Sequence, residues 1–191
     1  MTISVSEFVT LDGVFEAPGG EYHPDGKGGW TLSAFSPELG AYKQAEIEGA
    51  DSLLLGRVTY EHFAAAWPGI TDETGFADRM NDLPKHVVST TLKAPLAWNA
   101  TPAEDPAGVS GSVLVLGSGE LVHSLLRRGL VDELRLQVFP VLLGSGRKLF
   151  RDGIGVGDLE LEDEQQLPNG VVALVYRPAA VSARRASAPR S

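Results

Sequence analysis

Two short segments carry residue types that can bind an anion. Gly56-Arg57-Val58-Thr59 follows the apolar run Ser52-Leu53-Leu54-Leu55, and Gly117-Ser118-Gly119 follows Val113-Leu114-Val115-Leu116. A strand that ends in glycine and enters a helix leaves unpaired backbone N–H groups outside its carboxyl end, where ligands of open α/β sheets gather. Gly56 lets the backbone approach an anion closely, Arg57 offers a planar donor fork suited to phosphate, and Thr59 adds a hydroxyl. Gly117-Ser118-Gly119 is a second cradle of the same design. Two cradles on one sheet fit a dinucleotide, one for the phosphate on the adenosine side and one for the pyrophosphate. Taken singly, each also reads as an ordinary tight turn, with Arg57 a solvated arginine at a helix start.

Other chemistry is sparse. With no cysteine there is no disulfide, thiolate nucleophile or cysteine-bound metal. His23, His62, His86 and His123 lack the spacing of metal ligands, so no metal site is expected. No serine stands in a Gly-Xaa-Ser-Xaa-Gly elbow followed by an acid, which leaves a hydrolase triad unsupported. Asp12 before Gly13 reads as a turn former, and Glu38 as a carboxylate in the first turn of a helix. Trp30 and Trp67 could stack on a substrate ring or pack in the core. Arg147-Lys148 could meet a substrate phosphate or form a solvated turn.

The elements that must position these residues alternate along the chain. Ile3 to Leu11 reads as a first strand, ended by Asp12-Gly13. A glycine-rich loop (Gly19, Gly20, Gly26, Gly28, Gly29) holds Trp30 and precedes a polar helix from Pro37 to Glu48. Asp51 to Gly56, His86 to Ser89 and Val113 to Leu116 read as short buried strands, with helices from Arg57 and from Glu120 to Arg128. Glu133 to Val138 alternates as a half-exposed strand. Leu159 to Leu161 and Val171 to Tyr176 read as a closing hairpin around Pro168-Asn169-Gly170. Pro102 to Gly111 reads as a surface loop. The pattern predicts an α/β fold, a central, mainly parallel sheet with an antiparallel edge strand and helices on both faces. Residues 1–177 form the expected domain, and 178–191, small and cationic, a disordered tail.

The 16 Lys and Arg against 25 Asp and Glu leave a net charge of −9, and the balance is uneven. Arg177, Arg184, Arg185 and Arg190 follow the last acid, so the chain before them holds 12 basic residues against 25 acidic. Such a body repels phosphate backbones and anionic lipid at long range, which argues against nucleic-acid or membrane partners. No apolar run approaches the roughly 20 residues of a membrane span, and no secretory signal is visible at Met1-Thr2-Ile3-Ser4. A cytoplasmic location is the expectation.

Larger motifs carry a resemblance. Leu54-Leu55-Gly56-Arg57-Val58-Thr59-Tyr60-Glu61, with Trp67-Pro68 beyond, resembles the cofactor segment of the dihydrofolate reductase superfamily. Three later stretches are similar to the C-terminal reductase domain of the riboflavin-biosynthesis bifunctional deaminase-reductases. They are Gly117-Ser118-Gly119-Glu120-Leu121, Gly129-Leu130-Val131-Asp132-Glu133-Leu134, and Pro140-Val141-Leu142-Leu143-Gly144-Ser145-Gly146 with Leu149-Phe150. Thr10-Leu11-Asp12-Gly13 matches too, with threonine where the family usually has serine. The match runs in order from about residue 3 to 177. It implies a dihydrofolate reductase-like three-layer fold, NADPH as cofactor, and a homodimer.

Residue by residue, the resemblance places Arg57 and Thr59 at the 2′-phosphate side of NADPH and Ser89 and Thr90 along the adenosine. Gly56 belongs to the same segment, and Gly117, Ser118, Gly119, Glu120 and Leu121 would wrap the pyrophosphate. Asp12 would border the nicotinamide and substrate, and Glu38 is the candidate for the carboxylate that protonates substrate in dihydrofolate reductases. The His/Cys ligand spacing of the zinc-deaminase domain is lacking in these residues, so no deaminase step is expected. The implied activity is hydride transfer from NADPH to a small heterocyclic or imine/carbonyl substrate. The candidates are 5-amino-6-(5-phosphoribosylamino)uracil, a ribosylaminopyrimidine of riboflavin synthesis, and a related pterin-like compound. The rival readings are a non-catalytic NADPH-binding module and a scaffold dimerising through the Leu134-Leu136-Val138 strand.

Overall fold

In the computed structural model, which describes residues 1–20, 25–152, 154 and 157–179, the apolar runs assemble into one eight-stranded sheet. The strands are β1 (Thr2–Thr10), β2 (Ser52–Gly56), β3 (Lys85–Val88), β4 (Ala100–Ala103), β5 (Ser112–Leu116), β6 (Glu133–Phe139), β7 (Leu159–Gln166) and β8 (Val172–Pro178). Their spatial order is β4-β3-β2-β5-β1-β6-β8-β7. The pairs from β4 to β6 are all parallel, whereas β6–β8 and β7–β8 are antiparallel. The expected sheet is therefore the one that forms, its antiparallel edge two strands wide.

Four helices cover it: α1 (Pro37–Glu48), α2 (Arg57–Ala66), α3 (Phe76–Asp82) and α4 (Gly119–Arg127). On one face α4 lays Leu121, Val122, Leu125 and Leu126 against Ile3, Val5, Leu54, Val113, Val115 and Leu134. Each fully buried aliphatic side chain there contributes ~1.5–3 kcal/mol, and Leu125, with no exposed surface, is a residue whose truncation to alanine would cost ~2–5 kcal/mol. On the other face α1, α2 and α3 bury Ile47, Tyr60 and Met80 over Leu53, Leu55, Val87, Leu114 and Leu116. A third cluster joins Trp30, Leu39 and Phe139 to the β7–β8 hairpin through Leu167, Val171 and Ala173.

The structure departs from the sequence expectation in several places. Two elements, α3 and β4, were not expected. Strand β4 is Ala-Thr-Pro-Ala at the sheet edge, where Pro102 removes no essential ladder bond. The stretch 102–111 thus contains a strand end and a short 3-10 turn at Pro106–Gly108 rather than only loop. Strand β6 is interior, between β1 and β8, and Gln137 is fully buried, so the half-exposed reading fails. For the same reason Leu134 and Leu136, both buried, are not free to form a dimer interface. Strand β8 runs through Pro178, one residue into the expected tail, and residues 180–191 lie outside the described residues. No helix among the described residues is long and apolar enough to cross a membrane.

Candidate functional site

All six parallel strands end at one edge of the sheet, and β5 is the pivot of that edge. It leads directly into α4 on one face, while its neighbours β2 and β1 lead to α2 and α1 on the other. Chain connections that diverge to opposite faces open crevices at the strand ends. One crevice lies between β2 and β5, the other between β5 and β1.

The β2–β5 crevice holds both glycine turns. The Gly56 N–H donates to Ser118 Oγ at 2.8 Å, joining them directly. A Cβ on Gly56 would lie 3.1 Å from Ser118 Oγ, and one on Gly117 only 3.4 Å from the Thr59 methyl carbon. Gly117 and Ser118 both take left-handed φ values, +68° and +75°, which turn the chain sharply off β5 into α4. Neither α2 nor α4 has a side chain capping its first turn. Their first N–H groups remain available to a ligand, and the helix dipoles favour an anion there. By contrast Ser36 Oγ accepts from Leu39 N to cap α1, and the Asp72 carboxylate accepts from Phe76 N and Ala77 N to cap α3. The missing side chains at Gly56 and Gly117 and the open N–H groups on two adjoining helices fit the phosphates of a dinucleotide.

The remaining predicted cofactor residues surround this turn. The Arg57 guanidinium is half exposed and paired with Glu61 at 2.8 Å, so a phosphate would have to replace that carboxylate. Val88 pairs with Gly56, which puts Ser89 at the neighbouring strand end. Ser89 Oγ accepts from Thr91 N and Leu92 N, and Thr90 is exposed. Leu121 is buried in the core, so only its backbone could meet a ligand. Glu120 forms an exposed double contact with Arg151 at 2.8 and 2.9 Å, and the hydrogen bond from Arg151 holds its carboxyl below the usual range.

The β1 and β6 loops form the other half of this edge and lock each other. Leu11 N donates to Val141 O, Phe15 N to Arg147 O, and Leu149 N to Gly13 O. Asp12 is the pin: it accepts from the Thr10 hydroxyl at 2.6 Å, from Leu143 N at 3.2 Å and from Gly144 N at 2.8 Å. Those bonds, led by the Thr10 hydroxyl, lower its carboxyl to about 2. It is therefore ionised at neutral pH and cannot donate a proton there. Glu38 is exposed in the first turn of α1. Arg147 pairs with Glu16 at 2.7 Å and lies over the Phe15 ring. Trp30 is buried, donates to Glu16 O and packs edge-on against Phe139. Trp67 packs on Phe63 and Phe76. Both tryptophans serve packing.

Sequence reading missed Glu7. On β1 it shares the α4 face with Ile3, Val5 and Val9, is 4% exposed, and pairs across with Leu136. Its Oε1 is buried with no hydrogen-bond partner among the described residues. Burial pushes its carboxyl up to about 8 against the opposing pull of Lys43. The signal was present: an alternation of Ile3, Val5, Glu7 and Val9 sets an acid on an apolar face.

A separate cavity of about 230 Å³ lies at the opposite end of the strands, bordered by Thr2, Ser4, Glu46, Ser112, Glu133 and Arg135. Its charges satisfy one another, Arg135 bonding Glu133 at 2.6 Å. Among the described residues no three His, Asp or Glu side chains cluster as metal ligands. His123 is buried against Leu149 O, and His23 lies outside the described residues.

The family model for the RibD C-terminal domain matches residues 1–110 and 106–173. Two uncharacterized proteins of Bacillus subtilis (strain 168) are similar along most of their length. YyaP is 26% identical over 186 residues, covering 88% of this chain and 90% of its own. YwjB is 28% identical over 170 residues, covering 85% and 90%. A crystal structure of a Shewanella sp. PV-4 protein provisionally assigned to riboflavin biosynthesis superposes with a TM-score of 0.70 at 20% identity. It covers 93% of this chain and 98% of that one, a likeness of fold.

Proposed function

The chain belongs to the RibD C-terminal domain family, and from that premise we propose that it is an NADPH-dependent reductase acting on a small heterocyclic or imine/carbonyl compound. Family membership supports a reductase-type function. The observation that carries the finer reading is the joined pair of uncapped helix starts, α2 and α4, with Gly56 N bonded to Ser118 Oγ.

In this reading Arg57 exchanges Glu61 for the 2′-phosphate, with the Thr59 hydroxyl beside it, and Ser89 and Thr90 border the adenosine. Backbone N–H groups of Gly117 to Leu121 hold the pyrophosphate, and the left-handed turn at Gly117 aims them. NADPH, when bound, supplies the hydride; the protein contributes orientation and exclusion of water. Asp12 contributes by fixing the β1 loop to Leu143 and Gly144, which sets the wall of the β5–β1 crevice. The substrate class is a ribosylaminopyrimidine such as 5-amino-6-(5-phosphoribosylamino)uracil or a related pterin-like compound, and the working unit is a homodimer.

Saturating NADPH should raise the melting temperature more than NADH does. Adding 5-amino-6-(5-phosphoribosylamino)uracil or a pterin should then drain the near-ultraviolet absorbance of the reduced cofactor. Absence of any NADPH stabilisation would remove the reading altogether. Stabilisation without turnover on either compound would leave a non-catalytic NADPH-binding module.

A further inference from the structure

The second crevice, between β5 and β1, has a floor that the cofactor reading does not use. Strand β5 ends at Leu116, paired with Ser6, whereas β1 continues to Thr10 beside β6. Glu7 is thus the first β1 residue beyond the end of β5, level with the Gly117 turn. Its side chain lies on the face that α4 covers. The surroundings on that face are apolar: Val5, Val9 and Leu136 from the sheet and Leu121 from α4, with Phe15 packed against the same cluster. The Phe15 ring occupies the space a Cβ on Gly119 would need, so the β1 loop roofs the start of α4.

A carboxyl with a buried, unpartnered oxygen is costly unless something meets it. The other buried carboxylate nearby shows what a structural acid looks like here. Glu46, across the sheet on α1, is met by the Ser6 hydroxyl and by Lys43. Among the described residues Glu7 has no such partner. Lys43 acts on it across the sheet from α1. Of the elements that cover this face, α4 carries His123, bonded to Leu149 O, and the roofing loop carries Arg147, held by Glu16. A dinucleotide that begins at Arg57 and crosses the Gly117 turn has its far end at the β5–β1 crevice.

Resting on the reductase reading above, we propose that Glu7 is the acid of this site. Its carboxyl gives a proton to the heteroatom of the double bond whose carbon receives the hydride, and the carboxylate left behind faces the positive charge of the oxidised nicotinamide. Two electrons and a hydrogen nucleus pass from the dihydronicotinamide to carbon, the π pair of the double bond takes the Glu7 proton, and solvent reprotonates Glu7 after release. Raised proton affinity in the dry crevice keeps Glu7 loaded at neutral pH, the condition a general acid needs.

The test needs no substrate. Calorimetric binding of NADP⁺ and of NADPH near neutral pH, in buffers of different ionisation enthalpy, counts the protons released by each. The 2′-phosphate is common to both nucleotides and cancels in the difference; only the ring charge differs. NADP⁺ should release up to about one proton more than NADPH, because a cation beside Glu7 favours its carboxylate. The difference should vanish in Glu7→Gln while both nucleotides still bind. Equal release by the two nucleotides in the wild type, or a difference that survives in Glu7→Gln, overturns the proposal. Should Glu7→Gln fail to fold, Glu7→Leu, an apolar group in apolar surroundings, carries the same comparison. If neither nucleotide gives a binding heat, the reductase reading falls and this one with it, an outcome distinct from binding with equal proton release.

Discussion

Helices α1 and α3 and helices α2 and α4 solve the same problem in opposite ways. All four begin with N–H groups that lack a partner within the helix. At α1 and α3 the chain supplies the partner, Ser36 Oγ in one case and the Asp72 carboxylate in the other. At α2 the capping residue is glycine, and at α4 the Ser118 hydroxyl turns away from its own helix to accept from Gly56. The closed pair starts after loops; the open pair starts directly at the ends of β2 and β5, which are neighbours in the sheet. The helix starts that the chain completes stand apart from one another, and the pair proposed to hold a ligand is left incomplete at a place two elements share.

That contrast can be broken by experiment. The largest effect is expected at Arg57: Arg57→Ala should weaken NADPH by ~1.5–3 kcal/mol, the range for losing a charged hydrogen-bonding partner, and leave NADH nearly unchanged. Equal loss for both nucleotides in titrations would remove Arg57 from the 2′-phosphate. Next comes Gly117→Ala, which forces a side chain into left-handed backbone and toward Thr59. It should cost ~1–2 kcal/mol in urea unfolding and also lower NADPH affinity. Ser36→Ala removes a cap from the closed class, so it should cost about 1 kcal/mol of stability with the NADPH dissociation constant unmoved. A change in nucleotide affinity there would end the distinction between the two classes.

Acid titration probes the other closed cap. The Asp72 carboxyl is lowered to about 2, first by the Thr74 hydroxyl and then by Ala77 N–H. An unfolded aspartate titrates near ~3.9, so its stabilisation is complete above that value and is lost as pH falls toward 2. Asp72→Asn should flatten that part of the stability profile. The smallest effect is expected at Glu61. An exposed i,i+4 pair is worth ~0.3–0.5 kcal/mol, so Glu61→Gln should free Arg57 and tighten NADPH only about twofold.

Much of this was legible along the chain. The start of α1 follows from Pro37, and β2 and β5 announce themselves as apolar runs stopped by glycine. Strand β4 was hidden because its four residues include a proline, tolerable only at an edge that the sequence does not identify. Strand β6 alternates like a half-exposed strand, yet Gln137 is buried because β1 and β8 flank it and Tyr42 of α1 reaches its side chain.

Residue order along the chain already carries the local grammar: strand, glycine, helix, twice, with an arginine at one start. That information is local because period and punctuation act within a few residues. The fold brings the two turns side by side. Gly56 and Ser118 stand 62 positions apart, and parallel pairing through crossovers, which no local pattern encodes, sets β2 beside β5. It also makes Asp12 a pin and sets Glu7 among apolar neighbours on the α4 face, since the neighbours and solvent around a carboxyl fix its proton affinity.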